Sequence, residues 1–185
     1  MATTTAPSSR TFSGRDALLF IRDYAVLLLI AVLVIVLAVV SPSFFSAANL
    51  MNIVNQNVPL AIIAAAGTFV IISGNFDLST GAIFSVGAVV AAYLAVETQN
   101  PWLALAAAPV CGLLLGLLNG VAVTTLKVHS FLATLATSMV FSAIAVLITK
   151  GSLITVSVDG FSELGRGRIG LVFYAVIVMV VFVAL

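Results

Sequence analysis

A single charged residue, Asp77, interrupts a long apolar run that covers residues 24–96. An unpaired Asp at the centre of a membrane helix is unfavourable by roughly 2.5 to 3.5 kcal/mol. We therefore predict that Asp77 lies in a break between two spans, at or near membrane depth, and faces protein or water. A carboxylate held in this way makes membrane transport the first functional hypothesis.

The composition supports a membrane protein. Apolar residues make up 63% of the chain and charged residues only 7%, whereas soluble domains carry about 25% charge. The seven Lys and Arg residues are scattered over 185 positions, which argues against a nucleic-acid surface. Cys111 and His129 are the only residues of their kinds, so we expect no intrachain disulfide and no Cys/His metal site.

The pattern of apolar segments predicts an all-α fold, a polytopic transmembrane helix bundle with about six spans. About 20 residues are needed to cross the hydrocarbon core. The candidate spans are residues 24–40, 58–73, 81–96, 102–126, 130–149 and 169–185. The second and third are short and contain glycine, so we expect partial helices on either side of a break between Gly74 and Gly81.

Two regions are predicted, a cytoplasmic tail at residues 1–23 and a transmembrane domain at 24–185. Residues 1–12 are rich in Ala, Thr and Ser and are expected to be disordered. Arg10, Arg15 and Arg22 place the tail inside by the positive-inside rule, although a cleaved signal peptide is a rival interpretation. The same topology puts Lys127 and His129 inside and residues 150–168 outside. Because the last span ends within an apolar run, we expect the transmembrane domain to be incomplete at its C-terminus.

A polar stretch at residues 41–59 separates the first two candidate spans. Asn49, Asn52 and Gln56 recur at helical spacing, which predicts a short interfacial helix. Two interpretations are open. The helix is either a docking surface for an outside partner or a connector anchored by Phe44 and Phe45.

The predicted break carries the polar groups of most interest. Asp77 or Ser79 is expected to accept hydrogen bonds from the free N–H groups at the start of the next helix. This is either an N-cap alone or part of a translocation path that offers acceptors to a polyhydroxylated solute.

The fourth and fifth candidate spans carry two further patterns. Gly112, Gly116 and Gly120 recur every four residues and predict a ridge for helix packing, beside which Asn119 is expected to bond across helices. Thr134, Ser138 and Ser142 share one face of the fifth span, which Thr137 broadens. That face is either a polar lining of the path or a set of residues bonded to their own helix.

The residue patterns do not favour an enzyme. The sequence contains no GxxxxGK[ST] motif for ATP, and Asp77 has no second carboxylate nearby in the sequence for acid and base catalysis. His129, at the boundary of a span, is most simply an interfacial residue. We therefore name no catalytic residue, no metal site and no cofactor.

Three stretches carry a family resemblance. Residues 67–81, GTFVIISGNFDLSTG, and residues 116–120, GLLNG, followed by 129–137, HSFLATLAT, resemble motifs of ribose-type ABC importer permeases in order and spacing. Asn75 and Phe76 stand where Gly and Ile are commoner in that family, and Ser130 replaces a frequent proline.

The resemblance implies a permease subunit in a bacterial inner membrane. Two such subunits would form a central path, an extracytoplasmic binding protein would deliver a monosaccharide, and paired cytoplasmic ATPase subunits would drive transport. Such permeases exceed 300 residues and contact the ATPase beyond the sixth apolar stretch. A product ending at Leu185 is therefore expected to be a fragment that does not support uptake alone.

Other functions stay open at this stage. Branched-chain amino-acid and nucleoside ABC permeases share related sequence features. A proton-coupled secondary carrier would use Asp77 as its relay. A membrane scaffold without transport would need the glycine ridge but neither Asp77 nor the Thr134 face.

Overall fold

The computed structural model describes residues 14–184, which form seven helices and one short hairpin. The predicted disorder of residues 1–12 lies outside this range. The helices are α1 (Gly14–Val40), α2 (Ala47–Ile72), α3 (Thr80–Thr98), α4 (Pro101–Thr124), α5 (Ser130–Thr149), α6 (Glu163–Arg166) and α7 (Tyr174–Ala184). The antiparallel hairpin pairs β1 (Arg168–Ile169) with β2 (Val172–Phe173).

The helical, polytopic fold is confirmed. Five helices, α1 to α5, are long and apolar enough to cross a membrane. The predicted sixth span, 169–185, instead begins with the hairpin and continues as the 11-residue α7. In the hairpin, Gly170 has a positive φ of 62°, which reverses the chain where an uninterrupted helix was predicted.

The prediction of a short second span after a separate interfacial helix is wrong. α2 is one helix of 26 residues, about 39 Å long at 1.5 Å per residue. Its start is fixed by Ser46, whose Oγ accepts a hydrogen bond from the Asn49 N–H at 3.2 Å, as an N-cap residue does. The polar residues remain inside the helix, because backbone bonds form whatever the polarity of the side chains. Pro59 also lies inside the helix, although it has no N–H to donate.

The chain divides into two compact units, residues 1–50 and 51–185. In the first unit, α1 begins at Gly14 and continues into the first span. Residues 14–23 of the predicted tail are therefore helical. Arg22 and Asp23 form an ion pair of 2.9 Å within it. Phe44 and Phe45 pack edge to face with ring centroids 5.0 Å apart.

The second unit is built on a bundle of α3, α4 and α5. Asn100 caps α4 through its Oδ1, which accepts from the N–H groups of Trp102 and Leu103 at 3.1 Å each. This tight turn makes α3 and α4 antiparallel, and the connection 125–129 reverses the chain again. The N-terminal ends of α3 and α5 therefore lie together. The buried core between these two helices consists of Ala82, Val86, Phe141 and Ala145.

Among the glycines of α3 and α4, Gly87 of α3 lies closest to the neighbouring helix. A Cβ added there would lie 3.4 Å from the carbonyl oxygen of Ala108 on α4. On the predicted ridge, a Cβ added to Gly112 would lie 3.7 Å from Ile83. A Cβ added to Gly116 or Gly120 would have no described neighbour within 4 Å. A packing role for Gly116 and Gly120 stays a prediction about neighbours outside the described residues.

We expect Gly116→Ala to leave the fold intact. The added methyl group meets open space, and alanine in a helix is more favourable than glycine by roughly 0.5–1 kcal/mol. The melting temperature of the purified protein in detergent should stay the same or rise slightly. A clear fall would mean that a close helix neighbour does occupy this surface.

A second core joins α2 to the hairpin and α7. Val58 packs with Phe173 and Val176, and all three are buried. Asn55 of α2 donates through Nδ2 to the carbonyl of Gly165 at 3.2 Å. The Arg168 guanidinium lies 4.7 Å from the centroid of the Phe173 ring. These contacts tie the loop after α5 to α2.

Candidate functional site

The chain leaves helical geometry between α2 and α3, at residues 73–79, so the predicted break near Gly74 is confirmed. Gly74 has a φ of 79°, a conformation that glycine adopts without steric cost. Side chains of α5 bind the opened backbone. The N–H of Phe76 donates to Ser130 Oγ at 3.2 Å, and the N–H of Leu78 donates to Thr134 Oγ1 at 3.1 Å.

The Asp77 carboxylate bonds to Ser79, the residue immediately before α3. Its Oδ1 accepts from the backbone N–H of Ser79 at 2.8 Å and from the Ser79 hydroxyl at 2.6 Å. The Ser79 side chain makes no capping bond to α3. Of the two predicted acceptors, Asp77 therefore provides the bond, and it orients Ser79.

Asn119 of α4 completes a chain of hydrogen bonds. Its Nδ2 donates to Ser79 Oγ at 2.6 Å. Because the Ser79 hydroxyl donates its hydrogen to Asp77, Asn119 must present its N–H₂ group, which fixes the orientation of the amide. The bonds thus run from Asn119 to Ser79 to Asp77. Ser79 is fully buried, Asn119 is 5% exposed, and Asn119 Oδ1 has no partner among the described residues.

The polar face predicted on α5 divides into two parts. Thr134 is buried and contacts the Asp77 segment, while it also donates to the carbonyl of Ser130 at 2.8 Å. Thr137 and Ser138 bond to carbonyls three residues back on their own helix, and Ser142 is exposed. A path-lining role for these last three residues stays a prediction.

Ser130 was missed as a site residue. The sequence did offer a signal, because Ser130 lies four residues before Thr134 and therefore on the same helix face. The Ser130 hydroxyl accepts the hydrogen bond from the Phe76 N–H. In a continuous helix, that N–H would bond to a backbone carbonyl instead.

Two cavities border Asp77. One of about 190 Å³ lies among Asp77, Asn119, Ser130 and Thr134. The other, of about 360 Å³, lies between Asp77 and the apolar residues of α2 around Gly67. Within residues 14–184, His, Cys, Asp and Glu side chains form no group of three that could hold a metal ion.

The site lies near one end of the bundle. Asn119 is in the last two turns of α4, and Ser130 and Thr134 are in the first two turns of α5. The connection that contains Lys127 is at the same end. Since α2 and α3 are both long enough to cross a membrane, their lengths do not require Asp77 to be at mid-depth, and its depth stays a prediction.

Comparison with known proteins identifies the family to which this chain belongs. Residues 49–185 match the family described as the permease component of the branched-chain amino acid transport system. The chain belongs to this family of membrane permease components.

Similar proteins include permeases for ribose and xylose. The ribose import permease of Escherichia coli K12 is 33% identical over 87% of this chain and 52% of its own length. That of Bacillus subtilis is 36% identical over 83% and 49%, respectively. The xylose permease of E. coli K12 is 33% identical over 86% and 41%. The chain thus spans about half the length of the curated relatives it matches, and no solved structure matches it.

Proposed function

We propose that this chain is part of the permease subunit of an ATP-driven importer and that it forms part of the path of a monosaccharide. The observation that carries the proposal is the 33–36% identity to ribose and xylose permeases over more than four fifths of the chain. Residues 67–81, which contain Asp77, fall within the stretch 49–185 that matches the family.

The chemistry of the Asp77 site suits a neutral polyhydroxylated solute. Sugar hydroxyls need hydrogen-bond donors and acceptors rather than a counter-charge. The second carboxylate oxygen of Asp77 and the hydroxyl of Ser130 offer such partners beside one cavity. Two bonds from Ser79 hold the carboxylate in one orientation, and Asn119 in turn bonds to Ser79. This order reduces the ordering cost of binding.

The partners in this proposal follow from the class of transporter. A second permease subunit forms the other half of the path, an extracytoplasmic binding protein delivers the solute, and separate cytoplasmic ATPase subunits hydrolyse ATP. In this arrangement the N-terminus is cytoplasmic and the protein resides in a bacterial inner membrane. The Asp77 site is then at the cytoplasmic end of the α3–α5 bundle, together with Lys127.

We predict that Asp77→Asn and Asp77→Ala separate the structural from the transport role of this residue. The Asn oxygen can still accept both bonds from Ser79, whereas Ala removes them. In the assembled importer, Asp77→Asn should insert normally and lower sugar uptake about tenfold, while Asp77→Ala should also reduce the amount of inserted protein. Quantitative immunoblots of membranes and uptake of labelled ribose and xylose measure the two effects.

Normal uptake by Asp77→Asn would contradict a role for the charge in transport. Uptake that requires a proton gradient but no ATP would favour a proton-coupled carrier instead. The family description also names branched-chain amino acid transport, so labelled leucine is the second solute to compare. Uptake of leucine in place of sugars would assign the importer to that class.

A further inference from the structure

A groove lies between α3 and α5 at the end of the bundle opposite the Asp77 site. Its volume is about 520 Å³, within the range of ligand sites. We call it the C-terminal groove, since it is formed by the C-terminal turns of both helices. It is lined by Val90, Tyr93, Leu94, Glu97, Ile148 and Lys150.

The mouth of the C-terminal groove carries two opposite charges. Glu97 and Lys150 are both exposed. Neither forms an ion pair with any side chain that the structure describes. Both charges are therefore available to a ligand that carries an anion and a cation.

The position of Glu97 favours a cation beside it. Glu97 is in the last turn of α3, where the negative end of the helix dipole disfavours a carboxylate. A bound ammonium group would relieve this repulsion. Lys150 ends α5 with a φ of 52°, and an ammonium group at a helix C-terminus is favourable.

The rest of the groove fits a lipid at a membrane surface. Val90, Leu94 and Ile148 provide an apolar wall that continues along two membrane-length helices. Tyr93 lines the groove, and Trp102, 75% exposed, follows the α3–α4 turn at the same end. Aromatic residues of this kind are enriched at the level of the lipid headgroups.

We propose that the C-terminal groove binds a phospholipid with a primary amine, phosphatidylethanolamine. Its phosphate pairs with Lys150, its ammonium group donates hydrogen bonds to Glu97, and an acyl chain lies against Val90, Leu94 and Ile148. A choline headgroup has no N–H to donate, and a glycerol headgroup has no cation. The site therefore discriminates by the headgroup amine.

Native mass spectrometry of the protein released from vesicles tests the proposal. With equal amounts of phosphatidylethanolamine, phosphatidylcholine and phosphatidylglycerol, the wild type should retain the ethanolamine lipid preferentially. Glu97→Gln should lower its retention about fivefold to tenfold, since hydrogen bonds to charged groups are the stronger ones. Lys150→Gln should weaken retention of all three lipids, because each carries the phosphate that pairs with Lys150.

Lys127→Gln, at the other end of the bundle, is the matched control and should retain lipid like the wild type. Equal elution volumes and melting temperatures show that the variants are folded. The proposal is overturned if Glu97→Gln keeps the wild-type preference for phosphatidylethanolamine, or if the wild type retains the three lipids equally. A folded Glu97→Gln that loses all three lipids to the same degree would also contradict it.

Discussion

Replacing Ser79 with alanine is expected to destabilise the protein and to lower uptake about tenfold. The fully buried hydroxyl donates to Asp77 and accepts from Asn119. Its loss leaves the Asn119 N–H₂ group unpaired in a buried position, which costs about 1–3 kcal/mol. For a protein of this size, the melting temperature in detergent should fall by roughly 2 to 12 °C. Uptake falls because Asp77 loses a bond that orients it.

Ser142→Ala is the matched control, because Ser142 is exposed and its hydroxyl forms no bond to the Asp77 segment within residues 14–184. It should have the melting temperature of the wild type. Ser79→Ala and Asn119→Ala remove the same bond, so the double variant should cost less than the sum of the two single variants. Additive costs would mean that the two side chains do not interact.

Gly87→Leu is expected to separate α3 from α4. A Cβ at this position already lies 3.4 Å from the carbonyl oxygen of Ala108, so the longer side chain must displace the α4 backbone. Overpacking of this kind costs about 1–3 kcal/mol or more. The melting temperature should fall by several degrees, and the amount of inserted protein should fall with it.

Gly116→Leu adds the same side chain where no described atom lies within 4 Å. It should therefore be tolerated in the isolated chain. Similar losses for both variants would show that leucine in these helices is harmful in general. Such a result would remove the distinction between Gly87 as a contact and Gly116 as an open surface.

Helix bounds in the bundle were predictable from the sequence. The predicted fifth span, 130–149, coincides with α5, and the third and fourth agree with α3 and α4 within two residues at each end. Here apolar segments end at polar caps and turns. The start of α2 was not predictable in this way, because Asn49, Asn52 and Gln56 suggested an end to the span although the backbone bonds continue through them.

The residues of the site were more predictable from the sequence than the hydrogen bonds between them. Asp77, Ser79, Asn119 and Thr134 were all identified from polarity in apolar surroundings, and they lie together in the structure. The pairing of each hydroxyl with a particular N–H group depends on how α4 and α5 pack around the break. Sequence spacing does not determine this packing. For this reason the contribution of Ser130 was missed. The contact at Gly87 was missed as well, since the predicted packing ridge consisted of Gly112, Gly116 and Gly120.

Thiol labelling at Asn75 tests most directly whether the Asp77 segment lines a solute path. Asn75 borders the cavity of about 190 Å³. The background is Cys111→Ala, which removes the only thiol of this chain, and Leu113→Cys, at an apolar position of α4 that is 70% exposed, is the control. In the assembled importer, Asn75→Cys should react with a membrane-impermeant maleimide added on the extracytoplasmic side, which reaches the cytoplasmic end of the bundle only through the path. Ribose or xylose should slow the reaction, while Leu113→Cys stays unreactive. Protection of Asn75→Cys from the reagent throughout, or a rate that no transported solute changes, would contradict a path at this site.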